Sequence, residues 1–121
     1  MYLGVAPDDA SADKVYIAGK IRDLRIFDDE SGRMNVSVAE AGGSVLLVSQ
    51  FTLYADVRRG RRPGFTGAAT PEVARAVYES VASELKGYGL HVETGVFQTH
   101  MAVHSVNDGP VTILLDSTKQ F

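Results

Sequence analysis

The segment from Ser44 to Tyr54 constrains the fold more than any other part of the chain. Its first half, Val45-Leu46-Leu47-Val48, places apolar or β-branched residues on both faces, which is typical of a central strand covered on both sides. Gly42-Gly43 breaks the chain just before it. The sequence therefore predicts a core strand over Ser44–Tyr54, with polar side chains gathered at its end.

The rest of the chain predicts an α+β domain. A helix is expected over about residues 10–23, and Thr70-Pro71 is typical of the start of a second helix. Further strands are predicted for residues 24–27, 34–38, 90–94, 101–106 and 111–115. A chain of 121 residues and 13.0 kDa is large enough for one core. We therefore expect a single domain over residues 1–121.

Composition limits the functions that are open to the chain. It has no cysteine, which excludes a disulfide framework and a thiolate metal site and favours an intracellular enzyme. Its longest apolar run, Val45–Val48, is too short to span a membrane, so a cytoplasmic protein without a membrane partner is expected. The net charge of −3 argues against a broad nucleic-acid surface and against DNA as a partner. Any contact with RNA must be local.

Two motifs point to chemistry. Ser49-Gln50-Phe51-Thr52 brings two hydroxyls and an amide to the end of the core strand, and Asn107-Asp108-Gly109-Pro110-Val111-Thr112 lies between two apolar alternating runs. A Gly-Pro step at a strand turn can place backbone carbonyls where side chains usually do chemistry. Taken alone, the Gly109-Pro110 step predicts an ordinary turn, since only about 5–6% of X-Pro bonds are cis in folded proteins.

Together the two motifs resemble those of the D-aminoacyl-tRNA deacylase family, Ser-Gln-x-Thr and Asn-x-Gly-Pro-x-Thr. The resemblance extends along nearly the whole chain. It implies a mostly antiparallel, barrel-like β-sheet core with two helices. It also implies a hydrolase that releases free D-amino acids from D-aminoacyl-tRNA, and glycine from glycyl-tRNA, as translational proofreading. A related group that removes L-alanine has proline at the position of Ser49, so this chain is similar to the D-specific group.

The resemblance also implies roles for individual residues. The catalytic set is Thr52, Gln50, Phe51 and Ser49; the chirality filter is Gly109, Pro110 and Asn107; and the substrate-binding set is Phe65, Thr112 and Met101. Thr52 is expected to position the substrate or face the oxyanion, because the family is thought to use a hydroxyl of the tRNA's terminal ribose. A nucleophilic Thr52 is the alternative. The filter of one subunit would enter the pocket of its partner, so a homodimer is expected.

Charged and histidine residues elsewhere in the chain suggest two further candidate sites, one for tRNA and one for a metal ion. The tRNA-binding set is Arg58, Arg59, Arg61 and Arg62, which could meet phosphates of the acceptor end; a solvated charged loop is the alternative. His100 and His104 would share one face of a strand, yet no third ligand has helpful spacing. No cofactor and no metal are therefore expected.

The pattern of the first residues, Met1 to Val5, is typical of the second half of a buried strand. Family members carry about thirty further residues before this point, which would form an opening pair of strands and satisfy backbone groups left unpaired here. Either the start is misassigned or the chain is a truncated form. A non-catalytic module that binds a tRNA end or a protein, descended from the enzyme, is the alternative function.

Overall fold

The computed structural model describes residues 1–120. The strands are β1 (Tyr2–Leu3), β2 (Arg25–Asp28), β3 (Met34–Ser37), β4 (Ser44–Ser49) and β5 (His91–Thr94). The helices are α1 (Ser11–Asp23) and α2 (Pro71–Gly87), and a short 3-10 turn covers Phe51–Tyr54. The predicted α+β class with two helices is confirmed.

The main sheet is parallel, which corrects the expected antiparallel core. Its order is β1-β4-β5, with Tyr2 opposite Val48 and Ser44 opposite His91. Long crossovers containing α1 and α2 return the chain to the same edge of the sheet before each new strand, so neighbouring strands run in the same direction. Among the strands of residues 1–120, β2 and β3 form the one antiparallel pair. Within residues 1–120 the two sheets stay separate and do not close, so the barrel-like core is not confirmed.

The core lies between the parallel sheet and the two helices. Leu47 of β4 and Val81 and Leu85 of α2 are its largest fully buried side chains. Tyr78 of α2 is buried beside them, and its hydroxyl donates a hydrogen bond to the Leu47 carbonyl at 2.9 Å. The strand predicted to form the core therefore does so, and α2 holds it from one face.

Three predicted strands differ in the structure. The core strand was predicted to reach Tyr54, but it ends at Ser49 because its partner β1 ends at Leu3; the Gln50 amide donates to the Leu3 carbonyl at 2.8 Å and the chain then turns. The strands predicted over 101–106 and 111–115 pair with no other strand within residues 1–120. Without a partner, alternating apolar residues stay exposed, as at Val106, which is 92% exposed.

An acidic group lies in the link between β1 and α1. Asp9 Oδ2 accepts a hydrogen bond from the Ala6 amide at 2.9 Å. Partial burial raises the pKa of the Asp9 carboxyl; the bond from Ala6 opposes that rise, and the negative charges of Asp13, Asp8 and Asp116 add to it. The folded state therefore favours the neutral form of Asp9.

Candidate active site

The parallel order places three strand ends at one edge of the sheet. Gly4 follows β1, Gln50–Thr52 follows β4 and Gly95 follows β5. The Gly95 amide donates to the Leu47 carbonyl at 3.2 Å, which holds the end of β5 against β4. In open parallel sheets, ligand sites form outside the carboxyl ends of the strands. This edge carries the first sequence motif and is the candidate site.

Gln50 and Thr52 form the polar centre of this edge. The Gln50 side-chain amide donates a hydrogen bond to Thr52 Oγ1. Because the Thr52 hydroxyl accepts this bond, its own hydrogen remains available for donation to a substrate oxygen. An amide nitrogen is not a base, so this bond does not activate Thr52 as a nucleophile.

Phe51 and Ser49 complete the first motif in different ways. Phe51 begins the 3-10 turn, so its amide has no acceptor within that turn, and its side chain is 56% exposed. Ser49 is half-buried opposite Leu3 in the sheet. The structure therefore brings Ser49, Gln50, Phe51 and Thr52 together at the edge, with the last two facing outward.

Phe65, from the predicted substrate-binding set, packs against the first motif. Its ring packs edge-to-face against Phe51, with centroids 5.0 Å apart and planes at 71°, and it is half-buried. Such aromatic pairs prefer this geometry. The pair fixes a residue of the long loop beside the first motif, while Phe51 itself stays more than half exposed.

A tight turn after β5 forms part of the same edge, and sequence reasoning assigned only Met101 in it. The Val96 amide donates to Met101 Sδ at 3.3 Å, and Thr99 Oγ1 donates to the Val96 carbonyl at 2.8 Å. A Cβ on Gly95 would lie 2.8 Å from Met101 Sδ, so a side chain there would displace the Met101 thioether from its place against the turn. Gln98 adopts a φ of 61°, which is uncommon outside glycine, and nothing in the sequence signals it.

The second motif forms an exposed, self-supported turn. Asn107 Oδ1 accepts the Val111 amide at 2.8 Å, and Asn107 Nδ2 donates to Thr112 Oγ1 at 3.2 Å. The Gly109-Pro110 peptide bond is cis, and Gly109 has a φ of 142°. Within residues 1–120 no hydrogen bond joins this turn to Gln50–Thr52. The single chain therefore does not connect its two motifs by hydrogen bonds.

The arginine-rich loop is closed at its base and lined by positive charge. Paired backbone hydrogen bonds of 2.7 and 2.9 Å join Asp56 and Gly64. A cavity of about 520 Å³ opens inside it. Its lining is Asp56, Arg58, Arg59, Arg62, Gly64 and Thr66. Three of the four arginines predicted to bind tRNA therefore face one cavity, and Arg61 is not part of its lining.

Arg58 is already paired within this loop. Its guanidinium donates to both carboxylate oxygens of Asp56, at 2.9 and 2.7 Å. These bonds and the Arg58 amide lower the pKa of the Asp56 carboxyl. Asp56 therefore offsets the charge of Arg58, and Arg59 and Arg62 supply the remaining positive charge of the cavity.

The part of the chain that the structure describes contains neither a metal-binding cluster nor a membrane-spanning helix. His100 and His104 are both exposed, and in residues 1–120 no three side chains of the His, Cys, Asp or Glu type gather as a metal site would require. Neither of the helices among those residues has the length and apolar character needed to cross a membrane.

Taken with the fold, this arrangement defines a small α+β protein whose polar site is formed by loops that follow parallel strands, with a second motif on an exposed turn. Comparison with known proteins identifies it further. Residues 1–116 match the D-Tyr-tRNA(Tyr) deacylase family, and the chain belongs to that family. The resemblance seen in the sequence is confirmed.

Individual relatives agree with this assignment. A protein of Symbiobacterium thermophilum named D-aminoacyl-tRNA deacylase is 61% identical over 119 residues, which are 98% of this chain and 79% of that protein. A protein of Koribacter versatilis with the same name is 58% identical over 119 residues, 98% of this chain and 80% of its own. A solved structure of a c-Myc DNA Unwinding Element Binding Protein has a TM-score of 0.88 at 38% identity, covering 95% of this chain and 78% of that one.

Proposed function

We propose that this chain is a D-aminoacyl-tRNA deacylase, which hydrolyses the ester between a D-amino acid and the tRNA terminal ribose. Family membership and the names of its relatives support the reaction. The observation that carries it in the structure is the Gln50–Thr52 pair at the carboxyl edge of the sheet. We further propose residues 1–121 as one deacylase domain.

The proposed chemistry needs donors for a developing oxyanion. Water attacks the ester carbonyl, the carbon–oxygen bond to the ribose breaks, and the ribose oxygen takes up a proton. The Thr52 hydroxyl and the Phe51 amide are the donors placed to stabilise negative charge on the carbonyl oxygen, a term that is often the largest in such reactions. No hydrogen bond among residues 1–120 joins Thr52 to a base. We therefore assign Thr52 to positioning the substrate and stabilising charge, and Gln50 to orienting Thr52. A hydroxyl of the tRNA's own ribose is proposed to take the proton from the attacking water and to pass a proton on to the departing ribose oxygen.

Selection for D-residues is assigned to the turn that carries the second motif. Gly109 and Pro110, held by Asn107, would present backbone carbonyls to the aminoacyl group, exclude the side chain of an L-residue and leave room for hydrogen. Glycine has no side chain to exclude, so glycyl-tRNA would also be cleaved. Since the turn is exposed and makes no hydrogen bond to the first motif in its own chain, a homodimer in which each subunit supplies the turn to its partner is proposed.

The arginine-rich loop and the strand-end turns are proposed to hold the tRNA end. Arg59 and Arg62 would contact phosphates, with Arg58 and Arg61 in supporting roles. The Phe51–Phe65 pair would offer an aromatic surface to the terminal base. The sulfur of Met101 and the hydroxyl of Thr112 would contact the aminoacyl end.

Two wider aspects of the proposal follow from charge and family. One structural relative is named for binding DNA, yet the net charge of −3 and the confinement of four arginines to a single short loop favour a local contact with an RNA end over a DNA duplex. The reaction belongs to translation quality control, and we assign the protein to the cytoplasm.

The decisive experiment compares deacylation of D-tyrosyl-tRNA, L-tyrosyl-tRNA and glycyl-tRNA, with the mass of the protein in solution measured in the same buffer. The proposal expects release of D-tyrosine and glycine, with L-tyrosine retained, from a dimer. Cleavage of all three substrates would refute the filter while keeping the esterase. Cleavage of none, by a folded protein that still binds uncharged tRNA, would overturn catalysis and favour a non-catalytic tRNA-binding module.

A further inference from the structure

Tyr54, the last residue of the 3-10 turn that carries Thr52, is inserted between two glycines. A Cβ on Gly4 would lie 2.9 Å from Tyr54 Cε2 and 3.1 Å from Cδ2. On the other side, a Cβ on Gly67 would lie 3.5 Å from Tyr54 Cδ1. The ring occupies much of the space that a side chain at Gly4 would need, and Leu53 Cβ, 3.2 Å from the same position, occupies part of the rest. A side chain at Gly4 would therefore displace the ring.

These contacts join three segments of the candidate site. Gly4 follows β1 at the carboxyl edge, and Gly67 lies just after the arginine-rich loop. The Ala69 amide donates to the Val5 carbonyl at 2.9 Å, which ties the end of that loop to the end of β1. Tyr54 therefore lies between the sheet edge and the segment that follows the loop. In the same turn, Leu53 Cβ also faces Gly4 and Phe51 packs against Phe65.

The ring, and not the hydroxyl, accounts for this placement. Burial raises the pKa of the Tyr54 hydroxyl, and the negative charges of Asp9, Asp116, Asp8 and Asp13 raise it further. The hydroxyl therefore stays neutral at physiological pH and has no place as an acid or base. The Tyr54 atoms nearest to the side-chain positions of both glycines are ring carbons, Cε2 and Cδ2 on the Gly4 side and Cδ1 on the Gly67 side.

We propose that Tyr54 is a positioning residue whose ring sets the distance between the Thr52 turn and the arginine-rich loop, so that the ester and the acceptor-end phosphates are held together. The inference rests on the proposed function, because it assigns the two segments to one substrate. Tyr54 does not touch the reacting atoms. It acts through the position of Thr52 on one side and of Gly67 on the other.

The test compares Tyr54→Phe, which keeps the ring, with Tyr54→Ala, which removes it. Tyr88→Ala is the matched control, because Tyr88 is also half-buried but lies at the end of α2, just before β5, and so at the opposite edge of the sheet. Steady-state kinetics on D-tyrosyl-tRNA would be recorded with thermal unfolding of each variant. Tyr54→Phe should keep the wild-type kcat and KM.

Tyr54→Ala should lower kcat/KM by about 10–100-fold, since a misplacement of about 1 Å can cost about 10²-fold. Both parameters should change: kcat because Thr52 moves, and KM because the loop loosens. Tyr88→Ala should lose stability with unchanged kinetics of the folded protein. Wild-type kinetics in a folded Tyr54→Ala protein, or an equal loss in Tyr54→Phe, would overturn the proposal.

A second variant and a second readout keep the inference testable on its own. If Tyr54→Ala does not fold, Gly4→Ala keeps the tyrosine but forces the ring away, and it should give the same loss of kcat/KM. If the wild-type chain cleaves no aminoacyl-tRNA, the proposed function fails separately. Trypsin cleavage within residues 58–62 then tests the contact: it should be faster in Tyr54→Ala than in Tyr88→Ala, and equal rates would overturn the positioning role.

Discussion

Gly109→Ala should abolish most activity on D-aminoacyl-tRNA while leaving the fold intact. At a φ of 142° the added Cβ would lie 2.8 Å from Val111 Cγ2 and 3.1 Å from the Val111 amide nitrogen. An L-residue held in that backbone region costs on the order of 1–3 kcal/mol. The turn can relieve this cost by moving Val111 and breaking the 2.8 Å bond from its amide to Asn107.

The consequence for activity follows from where that movement occurs. The turn is exposed and lies outside the buried core, so relief is local and the free energy of unfolding should change little. A shift of about 1 Å in a group that shapes the substrate pocket can cost about 10²-fold in rate. We therefore expect kcat/KM for D-tyrosyl-tRNA to fall by about that factor, and the ratio of D- to L-tyrosyl-tRNA cleavage to fall with it.

Gly32→Ala supplies the matched control. Gly32 has a φ of 72° and no atom within 4 Å of the position of an added Cβ, and it lies in the turn between β2 and β3. It imposes backbone strain without a clash and away from the site, so activity should persist. Wild-type rates and selectivity in Gly109→Ala, or an equal loss in Gly32→Ala, would refute this reasoning.

Thr52→Ala in the same assay separates the two roles of the first motif. It should lose less activity than Gly109→Ala, because the Phe51 amide remains and Thr52 has no base to make it a nucleophile. Equal, near-total loss in both variants would instead support a nucleophilic threonine.

Three further outcomes are expected. Asp56→Asn should free Arg58 from its pair, tighten binding of uncharged tRNA and steepen the dependence of log Kd on log salt by about 0.7–0.9; an unchanged slope would show that Arg58 meets no phosphate. Tyr78→Phe should cost about 0.5–1.5 kcal/mol in urea unfolding, because it removes the bond to the Leu47 carbonyl; a wild-type midpoint would contradict it. Asp9→Asn should raise Tm at neutral pH. The pKa of the Asp9 carboxyl is higher in the folded than in the unfolded protein, so ionised Asp9 destabilises the folded state. The gain in Tm should vanish as pH falls and Asp9 becomes protonated. A gain that persisted at low pH would contradict the sign.

The sequence predicted the structural features of the candidate site that depend on local pattern. The run Val45–Val48 is apolar on both faces, which is enough to identify a covered strand, and the polar residues that follow it locate the site at its end. The Gly-Pro motif identified the exposed turn in the same way. These features are encoded within a few residues of each other.

Features that depend on distant parts of the chain could not be predicted in this way. β4 ends at Ser49 because β1 ends at Leu3, and nothing near Ser49 records that length. The parallel order depends on how the crossovers through α1 and α2 return the chain. Phe65 is half-buried because Phe51 lies beside it, and the pair meets only after the loop has folded.

The hydrogen bonds of Asn107 give the turn that we propose as the filter a property of its own. Both bonds that shape it, to the Val111 amide and to the Thr112 hydroxyl, lie within six residues of sequence. The shape of the turn therefore depends little on the surrounding protein. Residues 107–112 grafted onto an unrelated rigid hairpin should keep that shape, and slow hydrogen exchange of the Val111 amide would show it. The surrounding protein could therefore change in evolution without altering the backbone of the proposed filter turn, provided that position 107 remains asparagine.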